Sequence, residues 1–243
     1  MRNAWIVAKR ELGSIFVQPI AYIFAIVMVS ITGYLFAAQL GATLLQPGGA
    51  PVDLGIMRTF AFLFVFAAPA ITMRLLSEEQ RSGTMELLMT MPVRDGEVVF
   101  GKYLAALIFF IATTALTLIF PLILFNYGNP DAGPILTIYL GIILYGSALI
   151  SIGLLASALS ENQMVSFILA FGLILVLFLA FIPAQIFPDN QSLVAVFTEL
   201  AFDRHLDSFQ RGLLVAKDIA YYLVITAGFL FAAARVLESR RWR

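Results

Sequence analysis

Residues 132–160 read AGPILTIYLGIILYGSALISIGLLASALS, a run of 29 positions without one Asp, Glu, Lys, Arg or His. A helix rises about 1.5 Å per residue and the hydrocarbon layer is about 30 Å thick, so roughly 20 apolar residues suffice to cross it. Working outward from this run, the chain shows five more uncharged stretches, at 12–52, 59–73, 103–130, 162–188 and 219–234. The first is too long for one crossing and is divided at Gln39 and at the turn-rich Gln46-Pro47-Gly48-Gly49-Ala50-Pro51. The stretches 59–73 and 219–234 are short, but Arg58, Arg74, Lys217 and Arg235 flank them. Their long stems can lie along the apolar layer and hold the charges among the headgroups.

The expectation is an all-α membrane protein forming one domain over 1–243. Its spans fall at about 20–40, 57–74, 103–126, 134–158, 164–186 and 218–237. Composition agrees. Of the 243 residues 61% are apolar and 12% charged, against about 25% charged in soluble domains. So few polar groups could not cover a water-soluble surface. Fifteen basic and fifteen acidic residues cancel, which leaves no bulk field for nucleic acid. There is no cysteine and one histidine, His205, so thiolate and His-cluster metal sites are excluded.

Trp5, Ala8, Leu12 and Ile15 recur at helical spacing beside Lys9 and Arg10, which predicts an interfacial helix over about 2–17. The start does not resemble a cleaved export signal. Of the basic residues outside the spans, eleven fall on the side of the two termini and of the 74–102 and 159–163 loops, and four on the other. Both termini are therefore expected in the cytoplasm.

No ionisable residue lies mid-span, which argues against a proton-coupled carrier and against aspartyl intramembrane proteolysis. No Gly-x-Ser-x-Gly elbow is present. Gly96-Glu97-Val98-Val99-Phe100-Gly101-Lys102 matches part of a phosphate-binding loop, but Tyr103 stands where the chemistry wants Ser or Thr, and no strand precedes it. No intrinsic catalytic site is visible. Thr113 and Thr117, Ser147 and Ser151, Gly153 and Ser157 are pairs four apart, read as surfaces for close helix packing. Pro69 predicts a kink in the second span.

The 74–102 loop carries the functional reading. Thr84 or Ser82 can cap a short helix over about 84–91, Glu86 is favourable in its first turn, and Pro92 stops it. Leu87, Leu88 and Met91 then form an apolar knob. Such an element is either a docking site for a partner or a loop packed on lipid.

These residues resemble the permeases of ABC-2 type exporters, and most closely the gliding-motility-associated subfamily. The pattern Glu-x-x-x-Gly-Thr-x-Glu-x-Leu-Leu, Pro-Val, Gly-Lys is met by Glu79, Gly83, Thr84, Glu86, Leu87, Leu88, Pro92, Val93, Gly101 and Lys102. The resemblance implies that the loop is the coupling helix, with Glu79, Gly83, Thr84, Glu86, Leu87, Leu88, Met91 and Pro92 meeting a cytoplasmic ABC ATPase dimer. It further implies a bacterial inner-membrane location, a second permease subunit (identical or homologous) and an extracytoplasmic accessory subunit as candidate partner. No cofactor is expected in this chain, ATP and magnesium being bound by the ATPase.

Before the last span, Phe202, Leu206, Phe209 and Leu213 recur at helical spacing, with Asp207 and Arg211 as an i,i+4 pair. By itself this is an amphipathic interfacial helix; the resemblance implies a roof over the cavity between two permeases. Two other functions compete: a force-transmitting subunit of an envelope machine without cargo, and a secondary transporter binding its coupling ion through backbone carbonyls.

Overall fold

The computed structural model describes residues 2–45, 55–84, 94–127 and 129–240. Among them every regular element is helical: α1 Arg2–Val17, α2 Pro19–Leu45, α3 Ile56–Thr72, α4 Ser77–Arg81, α5 Asp95–Leu116 and α6 Ile119–Tyr127. The chain continues as α7 Ala132–Leu159, α8 Gln163–Phe178, α9 Ile182–Ile186, α10 Gln191–Leu200, α11 Leu206–Gln210 and α12 Ala216–Arg240. Six helical stretches are long and apolar enough to cross a membrane, as the uncharged runs predict. The turn-rich 46–51 segment lies outside the described residues, as does the predicted coupling helix beyond Thr84.

Two breaks inside spans have the same cause. Proline has no N–H and its ring collides with the preceding turn. Pro121 separates α5 from α6 at Thr117, whose hydroxyl donates to the Thr114 carbonyl at 2.6 Å. Pro183 lies in the first turn of α9, and a 3-10 turn over Leu179–Phe181 joins it to α8. Pro69 is tolerated within α3, which stays helical to Thr72.

The long run that opened the reading is the central post. α7 packs against α12, α8, α3, α11 and α5. In hydrocarbon the lipid is as apolar as leucine, so spans associate through close packing and small residues. A Cβ on Gly146 would come within 2.1 Å of the Phe110 ring, and one on Gly153 within 2.0 Å of the Thr72 hydroxyl. Ser147 bonds Thr226 of α12 at 3.2 Å. These small and hydroxylated positions serve packing. By contrast α2 and α8 lie at the rim, with Tyr22, Ile23 and Ile26, then Val165, Ile168 and Val176, exposed.

The helix predicted over 2–17 is α1, and it lies against α5. Ala4, Val7 and Ala8 are buried, whereas Trp5 is 56% exposed. Gly101 decides this: a Cβ there would stand 2.6 Å from the Ala4 carbonyl and 2.8 Å from Val7. The backbones touch where the glycine lets them. The predicted phosphate-loop lookalike at 96–102 is thus the first two turns of a packed helix, with Glu97 bonding the Arg94 backbone amide at 3.3 Å as an N-terminal cap.

The resemblance implies short helices before the last span, where spacing alone reads as one amphipathic helix; the chain forms two short helices, α10 and α11, with an irregular link at 201–205. Phe202, Leu206 and Phe209 are buried in the bundle, and Leu213 is 55% exposed. The segment is therefore a plug seated in the helical core, not a helix lying on lipid. Thr137 of α7 donates to the Phe209 carbonyl at 2.6 Å, and Tyr222 of α12 to that of Phe202 at 3.0 Å.

Candidate functional site

At the end of the bundle that holds both termini, the chain leaves α3 and enters α4 through a pinned turn. The backbone amides of Leu76 and Ser77 both donate to Ser157 Oγ, at 3.0 and 3.1 Å. Ser157 in turn donates to the Met73 carbonyl at 3.1 Å, and Gln80 to the Ala158 carbonyl at 3.0 Å. One serine at the end of α7 thus satisfies two orphan donors at a helix start. It sets the direction in which the loop departs.

A charge cluster locks the same turn to the rest of the fold. Lys102 Nζ, 1% exposed, lies 2.9 Å from Glu11 Oε1 and 3.0 Å from Glu79 Oε1. Arg10 reaches the same two carboxylates, each at 3.0 Å. Two cations and two carboxylates from α1, α4 and α5 thereby neutralise one another. A buried ammonium would be prohibitively costly unpaired, and here it has two partners. Burial pulls the Arg10 guanidinium down, but hydrogen bonds to Glu11 and the charges of Glu11 and Glu79 outweigh this and hold it above its ordinary value.

Past the cluster the chain turns outward. The Ser82 amide donates to the Glu78 carbonyl at 2.9 Å, closing α4, and Gly83 follows at φ +71°, a left-handed conformation that favours glycine. Arg81, Ser82, Gly83 and Thr84 are all exposed. The Thr84 hydroxyl contacts that of Ser82 at 2.8 Å and donates back to the Glu79 carbonyl at 3.4 Å.

The predicted site residues therefore part company. Gly83 and Thr84 stand on an exposed exit. Glu79 faces inward: Oε1 is held by Lys102 and Arg10, and Oε2 is buried without a hydrogen-bond partner. Its carboxylate braces the loop from within instead of being offered outward. Glu86, Leu87, Leu88, Met91 and Pro92 lie outside the described residues. Sequence reasoning missed the Lys102–Glu11–Glu79 cluster and placed Lys102 only in the Gly-Lys motif, just before the span at about 103–126. The Gly-Lys motif was the available signal, since Gly101 admits α1 and Lys102 then meets Glu11 on it.

The same end is closed by the last span, where Arg240 lies 3.3 Å from Glu161 and donates to the Leu159 carbonyl at 3.1 Å. At the opposite end Arg58 pairs with Asp203 and, at 2.6 Å, with Asp207. Arg58 is thus an ion-pair partner and not a free headgroup anchor, and Asp207 is taken by Arg58 instead of by Arg211. Next to them His205 is stacked on Tyr221 with ring centroids 3.8 Å apart. Its Nδ1 lies 2.7 Å from Asp218, and its Nε2 is 3.0 Å from the Glu199 carbonyl. Among the described residues no three His, Asp or Glu side chains converge as a metal site.

Comparison with known proteins bears on the braced loop. The sequence profile of a family described as "ABC-2 family transporter protein" matches residues 5–199, which include most of α1, the cluster and the loop. Curated relatives include the "Probable multidrug ABC transporter permease YbhR" of Escherichia coli strain K12 and its counterpart in strain O157:H7. Each is 29% identical over 108 residues, 44% of this chain and 29% of the relative. The chain aligns with less than a third of the length of these relatives.

Proposed function

Because the chain belongs to the ABC-2 family of transporter proteins, we propose that it is the membrane-spanning permease subunit of an ATP-driven exporter, with no ATPase activity of its own. Two such permeases form the path, and a pair of cytoplasmic ABC ATPases sits beneath the end that carries both termini. The observation that carries this reading is the contrast within one loop. Its root is braced by four charges on three helices, and its exit at Arg81–Thr84 stands exposed.

A lever needs that combination. A partner's motion is transmitted only if the contact point is attached to something stiff, and a conformational shift requires contacts that differ between two states. Pushing on the segment after Gly83 moves α4, and with it α3 through the Ser157 pin and α1 and α5 through Lys102. Leu87, Leu88 and Met91 fill an apolar groove on the ATPase, and Glu86 meets a donor on its rim. The basic termini and loops lie on the cytoplasmic side of a bacterial inner membrane. The loop motif supports the narrower placement among gliding-motility-associated permeases.

Leu88→Asp and Glu86→Lys provide the test. Each is expected to abolish co-purification with the ATPase and transport-coupled hydrolysis while membrane insertion stays normal. Normal coupling in both variants would remove the proposal. Stimulation of hydrolysis by a candidate cargo in reconstituted vesicles separates export from force transmission without cargo.

A further inference from the structure

Between the α1–α2 elbow and α3 runs an open groove of about 450 Å³, within the roughly 300–1,000 Å³ typical of small-molecule sites. Along the spans its walls are apolar, with Phe24 and Met28 on α2 facing Leu63 and Phe66 on α3. Where it reaches the elbow the lining turns polar, and Gln18, Arg74 and Glu78 appear. The groove is therefore two-ended: hydrocarbon-like along the bilayer, charged at its edge.

At the charged end the Arg74 guanidinium is only partly satisfied and the Glu78 carboxylate stands exposed beside it. Arg74 Nη1 donates to Gln18 Oε1 at a long 3.4 Å, and its Nε is buried with no hydrogen-bond partner. Arg74 and Glu78 are four residues apart and opposite in charge, yet among the described residues neither forms an ion pair with the other or with any third group. The nearby Glu11 is taken by Lys102 and Arg10. An unpaired guanidinium and an unpaired carboxylate at one mouth suit a ligand carrying both complementary charges. A guanidinium fork matches phosphate oxygens, and a carboxylate takes an ammonium. The continuous apolar walls call for an acyl chain attached to that head.

We propose that this groove binds a membrane phospholipid whose head carries a phosphate and an ammonium, with the phosphate on Arg74, the ammonium at Glu78 and one chain between α2 and α3. The proposal stands on the groove alone and does not depend on the ATPase or on the cargo.

The test is native mass spectrometry of the full chain, purified with its partners and exchanged into micelles. These are doped equally with phosphoethanolamine-headed lipid, phosphoglycerol-headed lipid and diacylglycerol. Wild type is expected to retain the phosphoethanolamine lipid over the other two. Arg74→Gln should lower phospholipid retention about tenfold, and Arg74→Lys should restore part of it, which separates charge from folding. Glu78→Gln should keep phospholipid but erase the preference for ethanolamine over glycerol. Soluble O-phosphoethanolamine, lacking chains, should not compete. Equal retention by wild type and Arg74→Gln overturns the proposal, as does equal retention of the two phospholipids by wild type, full competition by the soluble head, or a cross-link placing a second copy of the chain in the groove.

Discussion

The two ends of this bundle solve the problem of charge near a membrane in different ways. At the terminal end, Lys102 is sealed beneath Glu11 and Glu79, with Arg10 at the rim. At the opposite end, Arg58 remains 42% exposed and holds Asp203 and Asp207 at the surface, while Phe202, Leu206 and Phe209 do the anchoring. The first end depends on electrostatic satisfaction of a buried cation, the second on packing. A surface pair in high dielectric contributes little, whereas removing one member of a buried network leaves an uncompensated charge. The loop is rooted at the end where loss of one charged group is costliest.

The sharpest way to break the comparison is Lys102→Met, which leaves two carboxylates to share the half-exposed Arg10 alone. It should cost about 3–5 kcal/mol, read as a lower unfolding temperature in detergent, with Lys102→Arg much milder. At the other end the matching blow is to packing. Phe209→Ala leaves a void against Gly141, and such truncations cost about 3–5 kcal/mol. If Phe209→Ala were harmless and Arg58→Gln severe, the assignment of packing to that end would be wrong.

A smaller effect sharpens the picture. Gly101→Ala forces a methyl toward the Ala4 carbonyl, and overpacking of this kind costs about 1–3 kcal/mol. Because it separates α1 from α5, it should also weaken the Lys102 cluster. A double-mutant cycle between Gly101→Ala and Glu11→Gln is expected to be non-additive. Smallest of all, Arg58→Gln should cost no more than about 1 kcal/mol, a cost that shrinks as salt is raised. The Lys102→Met penalty should be nearly independent of salt, since buried pairs are poorly screened.

Much of the architecture was legible along the chain. Each span announced itself because crossing hydrocarbon is a local demand on length and apolarity, and residues 132–160 met it without help from any neighbour. The fifth span was expected to end at about 186, and α9 ends at Ile186, just before Phe187-Pro188-Asp189-Asn190. The interfacial helix over 2–17 was legible from its spacing, but the contact it makes was not: Gly101, far along the chain, selects Ala4 and Val7 to face α5 and leaves Trp5 exposed. The 202–213 pattern was apolar at helical spacing for a different reason than continuous helix: three of its four residues point into the core from a bent segment. Of the candidate site, the motif singled out Gly83 and Thr84, which stand on the exposed exit, whereas the left-handed turn at Gly83 and the inward role of Glu79 were not readable.

Hydropathy and turn chemistry are sums over neighbours in the chain, so the sequence alone determined an all-helical body with six crossings and an unusual loop between the second and third. Which cation meets which carboxylate is not such a sum. Lys102 finds Glu11 across 91 positions, and Arg58 finds Asp203 and Asp207 across 145 and 149. Those pairings exist only once glycine contacts and aromatic packing have fixed how the helices cross, and the tertiary structure alone decided them.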